Sequence, residues 1–321
     1  MDPECVSPCR REVGMYPINR AGRRGGEVLL QNGYPLSEGG ELEYLTFPIL
    51  ERTGMVRHLV TTRTGGVSQG DYATMNLSFS RGDEQEKVQE NYRRVGQVLG
   101  CGLWNMVASH QTHTTNIRRV TEEDGGKGIV RQRDYQDVDG LVTDVPGLAL
   151  VTYYADCVPL LFVDPVHRAV GLAHSGWKGT AGRMAVHMVQ VMGEQFGSRP
   201  EDLLGAVGPS ICQDCYEVGA EVAKQFAGWD GEFEAERQMV AESGMYGSVP
   251  GLPCVLEPGR QPDKYQLDLW LANLLLLCHV GIPLRQTAVT DICTCHNSRY
   301  LFSHRASGAR RGNLGAFLML V

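Results

Sequence analysis

The sequence lacks two features that would each indicate a particular class of protein. It has no uninterrupted run of about 18 apolar residues, because Asp268, Asn273 and His279 break the longest candidate, so we predict no membrane-spanning helix. It also has no basic excess: 30 Lys and Arg against 37 Asp and Glu give a formal net charge of −7. This charge disfavours a nucleic-acid or anionic-membrane surface, and the expected partner is therefore a small molecule.

Cysteine is also sparse. Ten cysteines in 321 residues are too few for a disulfide scaffold, and the start of the chain, MDPECVSPCRREV, lacks the apolar stretch of a secretory signal. We therefore expect a cytoplasmic protein with reduced thiols, which divide among core packing, metal ligands and a nucleophile. An apolar content of 42% with 21% charged residues is that of an ordinary folded domain.

The order of patterns along the chain predicts a layered fold. Residues 1–42 are rich in glycine, arginine and proline, and we expect them to form a loose arm with at most one strand. The domain itself is predicted over 43–321, where short apolar strands alternate with helices. Four helices are predicted, at 84–100, 182–197, 219–229 and 268–281, and a long polar loop follows the third. This order indicates an α/β or mixed α+β single domain.

A predicted hairpin brings a cysteine and a histidine together. The apolar runs CVPLLFV and AVGLAH are joined by DPVHR, in which Asp-Pro marks a turn. If the loop is centred between Pro165 and Val166, Cys157 lies directly opposite His174 on the same face of the hairpin. Their Cβ atoms would then be about 4.5–5.5 Å apart, close enough to bind one cation. The alternative is that Cys157 fills the core and His174 is a hydrogen-bonded core histidine.

A third ligand would come from the segment SHQTHTTN, which we interpret as part of a strand. Its histidines, His110 and His113, are three residues apart and would face opposite sides of that strand, so at most one can join the pair. Three protein ligands with an open fourth position are typical of a catalytic zinc, whereas four indicate a structural one.

Residues around the pair offer further chemistry. Asp156 could orient a ligand or carry a proton, or could simply cap the chain or form an ion pair. The turn SGWKGT could hold an anion through the amides of Ser175 and Gly176 and the charge of Lys178, or could simply begin a helix. Arg63, in TTRTGG, is a second candidate anion donor, or a surface ion pair.

Two further cysteine pairs invite comparison with a zinc ribbon. Cys212 and Cys215 form CQDC, and Cys293 and Cys295 form CTC. The second pair has one intervening residue rather than two, and the 77 residues between the pairs exceed ribbon spacing. We therefore expect these four cysteines to be reduced thiols without a metal.

Six long motifs extend from about Val56 to the C-terminus. They are TTRTGGVSQGDYATMNLS, SHQTH, DGLVTDVPGLALVTYYADCVPLLFVDP, GLAHSGWKGT, GPSICQDCYEVG and FSHRASGARRGN. Together they resemble the YfiH/YlmD family of polyphenol oxidase or laccase-domain proteins, which includes FAMIN-like purine nucleoside phosphorylases. The resemblance implies a single-domain four-layer α/β/β/α sandwich. It also implies a metal site, normally zinc, at His113, Cys157 and His174, which selects His113 over His110.

The resemblance implies purine nucleosides and inorganic phosphate as substrates. The activities would be phosphorolysis of adenosine, inosine, guanosine and S-methyl-5′-thioadenosine, and deamination of adenosine. The three metal ligands and Asp156, as proton carrier, would be catalytic. Phosphate would be bound by Arg63, Ser175, Gly176, Lys178 and Arg305. Two positions depart from the family pattern: threonine follows the QTH histidine where glycine is usual, and Lys178 replaces a frequent arginine, which keeps the charge but loses bidentate geometry.

Three other functions stay open from the sequence. The older family name favours a copper-dependent phenol oxidase, but laccase chemistry needs several coppers and many histidines, whereas this chain has nine and no His-x-His pair. A metal-free Cys-His hydrolase with Cys157 as nucleophile, acting on a peptidoglycan precursor, is the second. The third is a nucleotide-binding protein without turnover. The sequence indicates no oligomeric state.

Overall fold

Two six-stranded β-sheets lie at the centre of the protein, a computed structural model of which describes residues 16–20, 28–37, 39–246 and 251–321. The strands in these ranges are β1 Leu30–Pro35, β2 Glu41–Thr46, β3 Val56–Thr61, β4 Met106–Ala108, β5 Ile117–Arg119, β6 Gly140–Thr143, β7 Ala149–Tyr154, β8 Val158–Asp164, β9 Ala169–Ser175, β10 Leu204–Val207, β11 Glu217–Gly219, β12 Leu256–Pro258, β13 Lys264–Leu267, β14 Thr287–Val289 and β15 Leu314–Leu320. The first sheet has the order β1-β2-β3-β15-β7-β4 and the second β14-β10-β8-β9-β6-β5, while β11-β13-β12 form a small third sheet.

Helices cover the outer faces of the two large sheets. Those in the same ranges are α1 Pro48–Glu51, α2 Gln85–Leu99, α3 Trp177–Ala181, α4 Met184–Phe196, α5 Ala220–Ala223, α6 Trp229–Glu232, α7 Glu234–Glu242, α8 Leu269–His279 and α9 His304–Ser307. Helix α2 packs on the first sheet, and α4 and α8 pack on the second. In the described part of the chain, no helix is both long enough and apolar enough to cross a bilayer.

Three apolar cores separate the four layers. In β15, Phe317 packs toward α2 whereas its neighbour Leu318 packs between the sheets. In β8, Leu161 packs between the sheets whereas Phe162 packs toward α4 and α8. Because successive side chains of a strand point to opposite faces, both faces of these strands are buried, which explains the nearly continuous apolar runs in the sequence. The predicted four-layer α/β/β/α sandwich is confirmed.

Three of the four predicted helices are present, at α2, α4 and α8. Helix α2 ends at Gly100, whose φ of 70° suits a left-handed cap. Helix α8 begins at Asp268, whose carboxylate accepts the backbone N–H groups of Trp270 and Leu271.

The prediction at 219–229 is wrong in extent. Helix α5 is short, and Gly228, with a φ of 88°, separates it from α6. Helix α7 lies in the region predicted as a polar loop. It buries only Arg237 and Val240, too little apolar surface to give a periodic signal.

The division of the chain at residue 42 stays a prediction. Within the predicted arm, β1 pairs antiparallel with β2 at the edge of the first sheet, and β2 itself begins in the arm at Glu41. The Arg20 guanidinium also forms an ion pair with Asp291 at 3.0 Å. Residues 1–15 and 21–27 of the arm lie outside the described residues.

A buried histidine in β3 predicts a loss of stability in acid. His58 accepts the backbone N–H of Phe47 at 2.8 Å, and burial lowers its pKa from 6.5 to about 3. Its neutral form is therefore favoured by folding, so its stabilising contribution is full above pH 6.5 and is lost as the pH falls toward 3. We expect His58→Gln to weaken the pH dependence of the free energy of unfolding between pH 7 and pH 4, measured by urea denaturation. The exposed His187→Gln should leave it unchanged, and equal slopes for the two variants would contradict the assignment.

Candidate active site

The candidate site lies where the chain crosses from the first sheet to the second. Strand β7 ends at Tyr154 and β8 begins at Val158, so Cys157 belongs to the connection between the two sheets. His174 is the penultimate residue of β9, and His113 lies in the loop between β4 and β5. The ligand atoms of His113, Cys157 and His174 all lie within 4.8 Å of one another.

The predicted hairpin register is wrong by two residues. Pro159 pairs with His174, in the place expected for Cys157. The reason is a four-residue loop, 165–168, in place of a two-residue one, and the Asp164 carboxylate holds it open by accepting two of its backbone N–H groups at 2.8 and 2.9 Å. Because the side-chain period of a strand is two, this shift keeps each residue on its predicted face. Cys157 and His174 therefore still meet.

The segment with the two histidines is a loop rather than a strand. His113 has a φ of 66°, in the left-handed region, which a strand cannot accommodate. His110 and His113 both line one cavity, but His110 accepts a hydrogen bond from the backbone N–H of Asp137 through Nδ1 and stands outside the group of three.

Asp139 positions two of the three ligands. Its Oδ1 lies 2.7 Å from Nδ1 of His174, and its carboxylate accepts the backbone N–H groups of Thr112, His113 and Thr114 at 3.0 to 3.1 Å. Its carbonyl accepts the backbone N–H of His174 at 2.8 Å. The carboxylate is fully buried. Because Nδ1 of His174 is engaged, Nε2 is left to face Cys157 or a metal ion.

The charges of this group are coupled. Burial raises the pKa of the Cys157 thiol, but the charge of His174 and hydrogen bonds from both histidines outweigh it and lower the pKa to about 6. Burial also opposes protonation of His174, yet the Cys157 thiolate and Asp139 raise its pKa to about 9. Burial opposes ionisation of Asp139, but the hydrogen bond and charge of His174 lower its pKa to about 2. Without a metal, the group near pH 7 is therefore a thiolate, an imidazolium and a carboxylate.

The donor set fits a transition-metal ion. One thiolate and two imidazoles are ligands that zinc accepts, three protein ligands leave a fourth position open, and a carboxylate on the far nitrogen of a histidine is the usual outer partner. Gly176 leaves room for this group, since a Cβ there would lie 2.9 Å from Sγ of Cys157 and 3.2 Å from Cδ2 of His113.

A cavity of about 420 Å³ opens onto the three ligands. It is lined by Ser78, Phe79, Ser80, Arg81, Ser109, His110, Gln111, His113, Arg133, Tyr153, Ala155, Cys157, His174, Arg311 and Asn313. Among the described residues, the Nε atoms of Arg133 and Arg311 are buried without a hydrogen-bond partner. Burial and the neighbouring Arg81 lower the pKa of Arg311 to about 10. Three arginines around one cavity favour an anionic ligand.

None of the five residues predicted from the sequence to bind phosphate lines this cavity. Arg63 donates to the carbonyls of Ala73 and Ser298 at 3.0 and 2.8 Å and lines a separate cavity. Lys178 is exposed, with Nζ 5.6 Å from the ring centre of Trp177.

Ser175 and Arg305 also have other partners. The Ser175 hydroxyl is fully buried and donates to Oδ1 of Asn273 at 3.1 Å. The Arg305 guanidinium donates to the carbonyl of Glu217 at 3.1 Å. Gly176 lies against Cys157 and His113 but does not line the cavity.

Asp156 turns the chain that presents Cys157. It has a φ of 92°, and its two carboxylate oxygens accept the Thr294 hydroxyl and the backbone N–H of Arg305, each at 2.6 Å. Its carbonyl accepts the backbone N–H of Ile211 at 3.0 Å. Asp156 does not belong to the lining of the cavity.

Asp139 and the three cavity arginines are not among the site residues that the sequence predicts. The sequence does place Arg311 in the motif FSHRASGARRGN, directly before β15. Its closeness to Cys157 is visible only in the fold, where Leu314 at the start of β15 pairs with Tyr154, three residues before Cys157. Asp139 stands directly before β6, whose residue Gly140 pairs with Ala173 beside His174. For Arg81 and Arg133, which lie in irregular segments, the sequence carries no such signal.

A family model described as "multi-copper polyphenol oxidoreductase laccase" matches residues 57–321. The chain belongs to this family. Within the laccase-like family, the chain is 35% identical over 266 residues to "Purine nucleoside phosphorylase YlmD" of Geobacillus stearothermophilus, covering 81% of this chain and 88% of that protein. It is 30% identical over 273 residues to "Adenosine deaminase RL5" from an unknown prokaryotic organism, covering 85% and 96%.

The fold agrees with that of a solved relative. The crystal structure of the hypothetical protein YfiH of Bacillus licheniformis superposes with a TM-score of 0.75 at 31% identity, covering 87% of this chain and 96% of that one. The resemblance to the YfiH/YlmD family is therefore confirmed.

The position of Asp139 predicts an effect on metal affinity. Asp139→Asn removes the negative charge beside His174 and one of the acceptors for the loop that carries His113. We expect zinc affinity to fall by about 10- to 100-fold, measured by competition with a chromogenic chelator. The control is Asp137→Asn, since Asp137 is exposed and its carboxylate accepts the Thr112 hydroxyl. Unchanged affinity in Asp139→Asn would show that the carboxylate does not tune the site.

Proposed function

We propose that this protein is a zinc-dependent purine nucleoside phosphorylase that also deaminates adenosine. The observation that carries the proposal is one cavity that holds His113, Cys157 and His174 together with three arginines. Adenosine, inosine, guanosine and S-methyl-5′-thioadenosine are the proposed nucleosides. The names of two relatives, a purine nucleoside phosphorylase and an adenosine deaminase, support this substrate class.

In this proposal, inorganic phosphate binds to Arg81, Arg133 and Arg311. Their guanidinium groups offer the planar, charge-assisted hydrogen bonds that phosphate oxygens accept, and two of them have a buried Nε without a partner in the described structure. None of the five residues expected from the sequence to bind phosphate lines the cavity, so the phosphate is not assigned to them.

Phosphorolysis joins a phosphate oxygen to C1′ of the ribose while the bond from C1′ to the purine nitrogen breaks. Positive charge develops on the sugar at that moment, and the arginines hold the attacking phosphate in place. When bound, zinc supplies Lewis-acid chemistry, including activation of water for deamination at C6. Asp139 fixes the orientation of His174 through Nδ1, and Asp156 sets the backbone turn that presents Cys157.

One observation favours a second candidate function. The site contains the three groups that covalent hydrolases use: a nucleophile, Cys157; a base beside it, His174; and a carboxylate that orients the base, Asp139. The two functions differ in their need for a metal: removing it abolishes a zinc-dependent reaction but frees the thiolate of a hydrolase. His113, as a third ligand, favours the zinc enzyme.

The first test of the proposed function identifies products. We expect purified protein to convert adenosine to adenine and ribose 1-phosphate only with phosphate, and to inosine without it, as separated by chromatography. Cys157→Ala should abolish both reactions, whereas Cys278→Ala, in α8 away from the cavity, should retain them. Elemental analysis of the same preparation decides between zinc and copper. If neither adenine, inosine nor hypoxanthine forms, the proposal is wrong.

The second test concerns the phosphate site. Arg311→Gln removes a charged donor from the cavity, and loss of such a hydrogen bond costs about 1.5–3 kcal/mol. We therefore expect the KM for phosphate to rise by about 10- to 100-fold while deamination without phosphate is little changed. Lys178→Gln, which changes an exposed charge, is the control. A similar KM for phosphate in both variants would argue against the arginine site.

A further inference from the structure

Four residues outside the candidate active site form a second group of metal ligands. The Sγ atoms of Cys212, Cys215 and Cys293 and a ring nitrogen of His296 all lie within 4.8 Å of one another. We propose that this group binds a structural zinc ion, separate from the ion at Cys157. The proposal replaces the sequence expectation that these cysteines bind no metal.

The distances suit a tetrahedral zinc site. With Zn–S bonds of about 2.3 Å and Zn–N bonds of about 2.0–2.1 Å, two sulfur ligands lie about 3.8 Å apart and a sulfur and a nitrogen about 3.6 Å apart. Nδ1 of His296 is 3.7 Å from Sγ of Cys212, so this pair already matches. Four protein ligands leave no position open for a substrate, which is the mark of a structural site.

Each pair of ligands lies in a tight turn with two intervening residues. Cys212 and Cys215 are C-x2-C, and the Cys215 backbone N–H donates to the Cys212 carbonyl at 3.1 Å. Cys293 and His296 are C-x2-H, and the Asn297 backbone N–H donates to the Cys293 carbonyl at 3.1 Å. The C-x2-C spacing of the first turn is typical of structural zinc sites. In the sequence, the CTC run suggests a pairing of Cys293 with Cys295, whereas in the fold His296 completes the set.

The 77 residues between Cys215 and Cys293 do not keep the two turns apart in the fold. Ser210 and Cys293 form a parallel bridge, and the Thr294 backbone N–H donates to the Ser210 carbonyl at 3.1 Å. The two turns are therefore held side by side by the backbone. The gap along the chain is taken up by the third sheet and by α5 to α8.

The surroundings of the sulfurs suit a bound metal ion. The Cys212 backbone N–H donates to Sγ of Cys293 at 3.3 Å, an arrangement that stabilises a thiolate. Cys212 and Cys293 are buried. Three thiolates this close repel one another unless a cation lies between them, and zinc supplies that cation.

The proposed zinc would also brace the active site. Thr294 lies between the ligands Cys293 and His296, and its hydroxyl donates to Asp156 at 2.6 Å. Asp156 in turn precedes Cys157 with its unusual backbone turn. The zinc therefore fixes the loop of Thr294, which supports Asp156 at a place outside the cavity lining.

The experiment counts metal ions in variants that separate the two sites. Protein is produced in zinc-supplemented medium, purified without chelator and analysed for zinc and free thiols. We expect two zinc ions per chain in the wild type and one in Cys157→Ala/His174→Ala, held by the second group. Cys212→Ser/Cys215→Ser should also hold one, at the first group. Cys278→Ser should keep both.

Cobalt spectroscopy identifies the ligands without requiring activity. In the Cys157→Ala/His174→Ala background, Co²⁺ should give the thiolate-to-metal absorption of a tetrahedral site with three sulfurs. His296→Ala, at an exposed position where folding is tolerant, should weaken Co²⁺ binding and change the spectrum, whereas the exposed His187→Ala should not.

Two outcomes would overturn the proposal. One is a Cys157→Ala/His174→Ala protein with reduced thiols and no bound zinc or cobalt. The other is a mass deficit of two hydrogens in the unreduced protein that maps to a disulfide among Cys212, Cys215 and Cys293. Neither outcome depends on turnover of nucleosides, so failure here is distinguishable from failure of the proposed function.

Discussion

The candidate active site depends on one buried carboxylate, that of Asp139. It orients the ring of His174 and accepts three consecutive backbone N–H groups around His113. An ionised carboxylate without exposure is costly unless its oxygens are fully engaged, and here that condition is met by the residues that make up the site. The loop with His113, the strand with His174 and the charge state of Cys157 are therefore linked through a single side chain.

The architecture explains why this linkage forms at the junction of the two sheets. Strands in the middle of the sandwich are buried on both faces, which leaves no room there for a polar site. At the crossover between β7 and β8 the chain leaves one sheet before joining the other, and its backbone can adopt the positive φ of Asp156. Cys157 is presented at this point, where a cavity can reach it.

Much of this arrangement was predictable from local pattern. The apolar runs and the periodicity of α2 and α8 predict the layers. The contact between Cys157 and His174 is also predicted correctly, although the register is wrong by two residues, because a shift of two keeps each side chain on the same face of its strand. What local pattern did not supply was the partner that a side chain meets from a distant part of the chain. Arg63 lies in a conspicuous glycine-rich motif, but its guanidinium donates hydrogen bonds to the carbonyls of Ala73 and Ser298. The sequence around His296 does not mark it as a metal ligand, and only the fold places it beside Cys212.

The arginines of the cavity affect the stability of the folded chain as well as the binding of an anion. Arg81 disfavours the charge of Arg311, and the Nε atoms of Arg133 and Arg311 are buried without a hydrogen-bond partner in the described structure. An anion held between these arginines would offset the repulsion and accept hydrogen bonds from the two Nε atoms. The proposed phosphate would therefore stabilise the native state against unfolding as well as take part in the reaction.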